Sequence, residues 1–256
     1  MNERILNRNE LRKLWLSEES IAKIHGWDFS HIEGKYREHP LPWSYADIIK
    51  KYLTPTAKIL DIDTGGGEFL LSLGHPYKNT SATEGYPPNV VLCREKLGVL
   101  GIDFREASDY SSLPFDDEEF DIVINRHGSY VPSEIYRILK KGGLFITQQV
   151  GEDNDRELVR MLLPKCEKQF GGHNLALQKK LFEDAGFTAL ESDEAFVPLE
   201  FYDTSALVWF AKIIEWEFCG FSVEDCFDEL CKVEQEIRQE GKVWGYAHRF
   251  YMVLKK

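Results

Sequence analysis

Short apolar runs alternate with helix-like segments through the first 150 residues of the chain. Five of these runs are predicted strands: AKILDI, NTSATE, IDFREA, FDIVIN and GLFITQQV. The first, fourth and fifth are almost continuously apolar, which is typical of strands buried on both faces of a parallel sheet. The segments EFLLSLG, PPNVVLCREKLGVL and PSEIYRILKKGG are predicted helices, the last with a glycine stop at Gly142. This alternation predicts an α/β fold with a doubly wound sheet.

After Val150 the pattern changes. Helices are predicted at about 155–170 and 174–186, followed by a strand in FTALESDEAFVPL, a long helical stretch over 203–240 and a final strand in HRFYMVLKK. The first 55 residues are predicted to form a mostly helical extension that Pro40 and Pro42 break into two parts. Its aromatic residues are Trp15, Trp27, Tyr36, Trp43 and Tyr45.

The length of 256 residues suits one large domain with additions better than two full domains. We therefore predict an extension over 1–55 and one domain over 56–256, with a helical insertion near 203–240. No apolar run approaches the ~20 residues of a membrane-spanning helix, and the beginning of the chain is too charged for a secretory signal. These observations predict a cytoplasmic protein without a membrane partner.

The five cysteines are odd in number and include no C-x-x-C pair, which argues against a zinc cage and against a disulfide framework. Reduced, mostly buried thiols are expected, and no metal site is predicted. The cysteines are Cys93, Cys166, Cys219, Cys226 and Cys231.

The net charge of -12 is unevenly distributed. Residues 183–240 carry 16 acidic and 3 basic residues, which is -13, so the other residues sum to +1. An acidic protein is a poor nonspecific binder of nucleic acid, because phosphate neutralisation requires clustered Lys and Arg. The charge therefore disfavours nucleic acid as a partner, although less strongly for the N-terminal half.

The segment DIDTGGGEF places three glycines directly after the first predicted strand and before a helix, which is typical of a nucleotide site at the carboxyl edge of a sheet. An acid, Glu84, closes the second strand. A dinucleotide motif G-x-G-x-x-G that begins at Gly65 and Gly67 would need its third glycine at Leu70. The frame D-x-x-x-G-x-G, beginning at Asp61, fits better.

That frame resembles the first motif of class I S-adenosylmethionine-dependent methyltransferases. The segments SATEGYPPN, ASDYSSLPFDDEEFDIVIN and IYRILKKGGLFI are similar to the family's second-strand acid, its adenine-binding loop and its fifth strand. The resemblance covers residues 57–150 strongly and 174–256 in outline. It implies a Rossmann-like, seven-stranded, mainly parallel sheet with S-adenosylmethionine as cofactor, and we expect the N-terminal extension to form a helical lid over it.

The resemblance also implies roles for residues at matching positions. Asp61 would hold the methionine amino end, while Gly65 and Gly67 would let the backbone approach the cofactor. Glu84 would bind the ribose diol.

Three further positions match the family beyond the second strand. Asp109 would accept a hydrogen bond from the adenine amine, and the backbone N–H of Tyr110 would reach the ring. Asn125, at the end of the fourth predicted strand, would lie next to the transferable methyl group.

Asp63 departs from the family pattern, which usually has a small residue there. Aspartate tolerates a positive φ better than most residues with a side chain. Its carboxylate could contact the positively charged cofactor, or it could point away and cap the following loop. The sequence leaves both possibilities open.

His127, in NRHGSY, is the candidate catalytic base, with a purely structural hydrogen bond as the alternative. The neighbouring Arg126 could hold an anionic group of the acceptor or lie in solvent. The aromatic extension and the segment EFYDTSALVWFAKIIEWEFCGF suggest an enclosed site for a small-molecule acceptor. The alternatives are methylation of an rRNA or tRNA base and a cofactor-binding protein without catalysis.

Overall fold

The computed structural model describes residues 6–23 and 28–256, so Trp27 of the predicted extension lies outside the described residues. An eight-stranded sheet has the order β1-β7-β8-β6-β5-β2-β3-β4. The strands are β1 (Tyr36–Glu38), β2 (Ile59–Ile62), β3 (Thr80–Glu84), β4 (Asp103–Glu106), β5 (Phe120–Arg126), β6 (Leu139–Val150), β7 (Thr188–Phe201) and β8 (Val243–Lys255). The helices are α1 (Arg8–Ile21), α2 (Tyr45–Tyr52), α3 (Glu68–Ser72), α4 (Pro87–Lys96), α5 (Pro132–Ile138), α6 (Arg156–Leu162), α7 (Leu175–Asp184), α8 (Thr204–Ile213) and α9 (Phe227–Glu240).

The predicted fold class is confirmed. The five strands predicted before Val150 are β2 to β6, and all their pairings with one another are parallel. The predicted C-terminal strand is β8, which lies antiparallel beside β6. The sheet has one strand more than the predicted seven, because residues of the extension form β1, which pairs antiparallel with β7. A three-residue strand has too short a pattern to be predicted, and only its distant partner stabilises it.

Several element boundaries differ from the predictions. The helix predicted to stop at Gly142 ends at Ile138, because Leu139 pairs with Phe120 and so begins β6. The helix predicted to 170 ends at Leu162, two residues before Pro164, which cannot continue a helix. The helical stretch at 203–240 is two helices, α8 and α9.

The chain divides into two compact units. Of the described residues, the first unit comprises 6–23, 28–40, 152–171 and 196–248. Its core is a cluster of apolar side chains from α1, α6, α8 and α9. Every residue of α8 except Lys212 is buried. The aromatic residues Trp209 and Phe210, which the sequence suggested for an acceptor pocket, therefore pack into this core.

The second unit comprises 41–151, 172–195 and 249–256. Its strands bury both faces, as their continuous apolar patterns predicted. In β5, Val123 packs into one cluster while Ile122 and Ile124 pack into the other. From the predicted extension, α2 packs Tyr45 and Ile49 into the second of these clusters. The boundary predicted near residue 55 and the lid role of the extension stay predictions.

Candidate functional site

The loop between β2 and α3 has three residues with left-handed backbone. The φ angles are 57° at Asp63, 63° at Gly65 and 77° at Gly67. Asp63 therefore has a positive φ at the position where the family usually has a small residue. Aspartate is one of the few residues with a side chain that tolerate this backbone conformation. The helix that follows has only five residues, so the loop itself shapes the site.

The two glycines in this loop have different surroundings. A Cβ atom on Gly67 would lie 2.7 Å from Cδ2 of Leu97, so a side chain here would displace this buried leucine. A Cβ atom on Gly65 would have nothing within 4 Å. Gly65 therefore faces open space, which a ligand could enter to approach the backbone.

Glu84 ties the end of β3 to the glycine loop. The residue is only 5% exposed. Its carboxylate accepts hydrogen bonds from the backbone N–H groups of Gly65 at 2.8 Å, Gly85 at 2.9 Å and Tyr86 at 2.8 Å. The structure thus places Glu84 beside the loop and commits one N–H of that loop to a carboxylate. Its predicted contact with the ribose diol stays a prediction.

Asp61 lies beneath the loop at 3% exposure. The hydroxyl of Thr64 donates a hydrogen bond to its Oδ2 at 2.7 Å. Burial raises the pKa of Asp61 to about 7, and the negative charges of Asp63 and Glu84 add to this effect, while the Thr64 bond and the Arg126 charge oppose it. The three carboxylates form a negative cluster that a cationic ligand would stabilise in its ionised form.

The carboxylate of Asp63 connects loops that follow three different strands. Its Oδ2 accepts hydrogen bonds from the phenol of Tyr110 at 2.6 Å and from the backbone N–H of Ser129 at 3.3 Å. Burial raises the pKa of Asp63, and the Tyr110 bond partly offsets this. Neither sequence-based possibility anticipated this bridge to the loops after β4 and β5.

Asn125 is fully buried at the end of β5. Its Nδ2 donates to the carbonyl of Ile62 at 3.0 Å, and its Oδ1 accepts from Nε2 of Gln149 at 2.7 Å. These bonds lock the side chain between β2 and β6. A role for Asn125 next to a transferable methyl group stays a prediction.

Asp109 is exposed, unlike the other acids of the site. Its Oδ1 accepts hydrogen bonds from the backbone N–H of Ser111 at 2.9 Å and from the Ser111 hydroxyl at 2.6 Å. These bonds lower the pKa of Asp109. The carboxylate is therefore used within its own turn, and its predicted contact with adenine remains a prediction.

His127 follows β5 with a φ of 61°. Its ring Nε2 lies 3.2 Å from Nε2 of Gln148, whose Oε1 accepts a hydrogen bond from the indole of Trp43 at 2.9 Å. Burial of the ring, with the charges of Arg249 and Arg126, lowers the pKa of His127 to about 3. The residue as a whole is exposed, and the lowered pKa keeps the imidazole neutral at pH 7.

Arg126 precedes His127 at the exposed end of β5. Its guanidinium lies over the ring of Phe69, 5.1 Å from the centroid. The aromatic ring holds this cation at the edge of the site.

Sequence reasoning did not identify Gln148 or Gln149 as site residues. Both lie within the apolar run of β6, where periodicity predicts only a buried strand. A pair of amides near the carboxyl end of such a strand is the one signal that could have drawn attention to them, because buried amides require hydrogen-bond partners.

No cluster of metal-ligating side chains occurs in the part of the chain that the structure describes. All five cysteines are free: Cys93 and Cys226 are buried, Cys166 and Cys231 are half-buried, and Cys219 is exposed. The expectation that most of the thiols are buried thus holds for only two of them. Within residues 6–23 and 28–256, every helix is too short or too polar to cross a membrane.

Comparisons with known proteins agree with this geometry. Residues 60–147 match the family model described as a methyltransferase domain. This segment contains the glycine loop and the ends of β2, β3 and β5. This part of the chain therefore matches a methyltransferase domain, in agreement with the sequence resemblance.

Two groups of curated relatives are similar over part of the chain. A sterol 4-C-methyltransferase of Caenorhabditis elegans is 29% identical over an alignment of 150 residues, with coverage of 53% of this chain and 45% of the relative. A phthiotriol/phenolphthiotriol dimycocerosates methyltransferase of Mycobacterium tuberculosis is 31% identical over an alignment of 98 residues, with coverage of 36% of each chain. The chain thus spans between about a third and a half of the length of these relatives.

Solved structures show the same fold at low sequence identity. The YcgJ protein of Bacillus subtilis is 16% identical with a TM-score of 0.53, covering 83% of this chain and 97% of its own. A candidate methyltransferase of Bacillus halodurans has a TM-score of 0.57 at 16% identity, covering 83% and 98%. A protein described as a [4+2]-cyclase, 16% identical over 96% of this chain and 92% of its own, has a TM-score of 0.50. The fold alone therefore does not establish the reaction.

Proposed function

We propose that this protein transfers a methyl group from S-adenosylmethionine to a small-molecule acceptor. The observation that carries the proposal is the negative cluster of Asp61, Asp63 and Glu84 around a glycine loop with open space at Gly65. When bound, S-adenosylmethionine would supply an electrophilic methyl group on a positively charged sulphur atom. Its ammonium and sulfonium charges match the sign of the cluster.

A dinucleotide fits this site less well. Pyrophosphate binding needs free backbone N–H groups at the loop and a helix dipole behind them. Here the N–H of Gly65 is donated to Glu84, and α3 has only five residues. The surrounding carboxylates would also repel a pyrophosphate, so the site favours a cationic ligand.

The residues that would hold the cofactor follow from these contacts. Asp61 would bind the ammonium group from below the loop, and Gly65 would allow close approach of the backbone. Glu84, which already accepts three backbone bonds, would exchange some of them for ribose hydroxyls.

A small-molecule acceptor is supported by the relatives, which are named for sterol and phthiotriol dimycocerosates substrates. It is also supported by the net charge of -12, which opposes binding to an RNA backbone. No observation favours the alternatives, RNA base methylation or cofactor binding without catalysis. They are therefore outcomes that the experiments below can reveal.

Calorimetry with S-adenosylmethionine, S-adenosylhomocysteine and NAD tests the cofactor assignment. We expect saturable binding of the first two and none of NAD. Binding of NAD without binding of either sulphur compound would refute the proposal. Methyl transfer from labelled S-adenosylmethionine should then be assayed against sterols, phthiotriol and transfer RNA, and salt-sensitive labelling of the RNA would identify the RNA alternative.

Three glycine variants separate the ligand site from the packing of the loop. Gly65 and Gly74 both have positive φ and open space at Cβ, so Gly65→Ala and Gly74→Ala should cost similar stability, about 1–2 kcal/mol. Only Gly65→Ala should weaken cofactor binding, because its methyl group would occupy the ligand's space. Gly67→Ala should destabilise the protein by about 1–3 kcal/mol more, since its Cβ meets Leu97. Thermal unfolding and calorimetry measure both effects, and equal affinities for Gly65→Ala and Gly74→Ala would contradict the placement of the ligand.

A further inference from the structure

Three side chains from different parts of the second unit form a continuous hydrogen-bonded chain. Trp43, which precedes α2, donates from its indole Nε1 to Oε1 of Gln148 on β6 at 2.9 Å. Nε2 of Gln148 lies 3.2 Å from Nε2 of His127, which follows β5. The backbone N–H of His127 also donates to the carbonyl of Gln148 at 2.9 Å, so the two residues are fixed to each other twice.

The chemistry of these groups leaves one arrangement of protons. An indole N–H can only donate, so the atom of Gln148 that faces Trp43 must be the amide oxygen. The amide nitrogen, which can only donate, must then face His127. Nε2 of His127 must therefore accept, and the neutral ring must carry its proton on Nδ1. The Trp43 contact thus resolves both the amide orientation and the tautomer, which are otherwise ambiguous.

The charges around the ring favour this neutral form. Arg126 precedes His127, and Arg249 lies on β8 opposite Val150. Both guanidinium groups, together with burial, lower the pKa of His127. Protonation of Nε2 would also place its N–H against the N–H of Gln148, which would break the hydrogen-bonded chain.

The loop that carries His127 belongs to the candidate site. A Cβ atom on Gly128 would lie 2.7 Å from Asp63 Oδ2 and 2.7 Å from Asn125 Nδ2, so the next residue packs directly against both. The N–H of Ser129 donates to Asp63. Nδ1 of His127 has no hydrogen-bond partner within the described part of the chain, so its proton is available.

We propose that Trp43 and Gln148 are positioning residues that hold His127 as a neutral hydrogen-bond donor, whose Nδ1–H binds an oxygen atom of the acceptor. This role replaces that of a general base, because the only ring nitrogen without a proton is occupied by Gln148. The acceptor is then a molecule with an accepting oxygen near the methylated atom. If the acceptor loses a proton, solvent water takes it, because neither ring nitrogen of His127 can. The acceptor part of the proposal rests on the proposed function, but the state of the imidazole does not.

Nitrogen-15 NMR of the imidazole groups tests the tautomer without any ligand. His127→Gln identifies the signals of this ring among those of the seven histidines. We expect the Nδ1-protonated tautomer, with no titration between about pH 5 and 8. An Nε2-protonated ring, or a midpoint near the ordinary histidine value of about 6.5, would overturn the proposal.

Two variants test the chain itself. In Gln148→Glu, a carboxylate oxygen would face Nε2, so the proton should move to Nε2 and the titration midpoint should rise by at least one pH unit. In Trp43→Phe, the amide is free to rotate, so both tautomers should appear. Gln169→Glu and Trp244→Phe are the matched controls, because these residues are exposed and lie in the first unit. An unchanged His127 spectrum in both test variants would show that Trp43 and Gln148 do not position the ring.

Ligand measurements separate this inference from the proposed function. If S-adenosylhomocysteine does not bind but the Nδ1 tautomer is observed, the cofactor assignment fails and the positioning chain stands. Once an acceptor is known, His127→Ala should raise its KM about 10-fold or more, the loss of one hydrogen bond. His127→Asn, whose shorter amide can also donate, should restore part of the affinity. A turnover that rises with pH through about 6.5 in the wild type, and not in His127→Gln, would instead establish a base.

Discussion

Asp61→Asn is expected to make the ligand-free protein more stable at pH 8 and to weaken S-adenosylmethionine binding about 10- to 100-fold. The gain in stability should be about 1–3 kcal/mol, because the variant removes a buried charge whose pKa is raised to about 7. Asparagine can still accept the hydrogen bond from Thr64 through its side-chain oxygen. The loss of affinity follows from the missing charge opposite the cofactor's ammonium group.

The sign of the pH dependence distinguishes this effect from general stabilisation. The carboxyl group has a pKa of about 3.9 when unfolded and about 7 when folded, so the folded protein binds more protons between these values. The contribution of Asp61 to stability is thus fully present below about pH 4 and is lost as the pH rises towards 7. The difference between wild type and variant should therefore grow from pH 4 to 7 and then remain constant.

Thermal unfolding from pH 4 to 8 and calorimetry at pH 8 measure these two effects. Glu95→Gln, which removes an exposed acid on α4, is the control. It should change neither the stability of the protein nor its affinity for the cofactor. A variant that is less stable than the wild type at pH 8 would show that the Asp61 charge is compensated within the protein.

Glu84→Ala should lower the free energy of unfolding by about 2–4 kcal/mol and abolish measurable cofactor binding. The alanine would leave the N–H groups of Gly65, Gly85 and Tyr86 without their acceptor. Each buried N–H group that water cannot reach then costs about 1–3 kcal/mol as an unpaired donor. The glycine loop would also lose its tie to β3, so the ligand's space would no longer be preformed.

The neighbouring strand supplies a close control. Glu106 ends β4 and pairs with Glu84 in the sheet register, but it is exposed and forms a surface ion pair with Arg94. Glu106→Ala should cost at most about 1 kcal/mol and leave cofactor affinity unchanged. Chemical denaturation measures the stability of both variants, and calorimetry measures their cofactor affinity. Similar losses of stability and affinity in the two variants would mean that Glu84 acts only as a charge at the end of a strand.

The sequence was sufficient for the central sheet and for the place of the glycine loop after β2. The apolar runs of β2 and β5 are continuous because both faces of these strands are buried, and burial of both faces is a property of parallel strands between helices. The glycine loop could be located because a left-handed backbone restricts which residues are tolerated, so the local sequence carries the signal. The acids at the ends of β2 and β3 followed from chain order alone.

The bonds made by the site residues depended on the tertiary structure. Asp63 contacts Tyr110 and Ser129, which lie 47 and 66 positions away along the chain. The indole of Trp43 reaches Gln148 across 105 positions. Such pairs leave no local pattern, because a hydrogen bond requires only that the fold bring a donor and an acceptor within about 3 Å.

The difference between the two kinds of information has a physical basis. Strand burial and left-handed turns are constraints that each segment must satisfy by itself, so they appear in residue type and periodicity. The lowered pKa of His127 and the raised pKa of Asp61 arise from burial and from charges contributed by several segments at once. Electrostatic energy depends on the distances between these groups, and only the folded chain sets those distances.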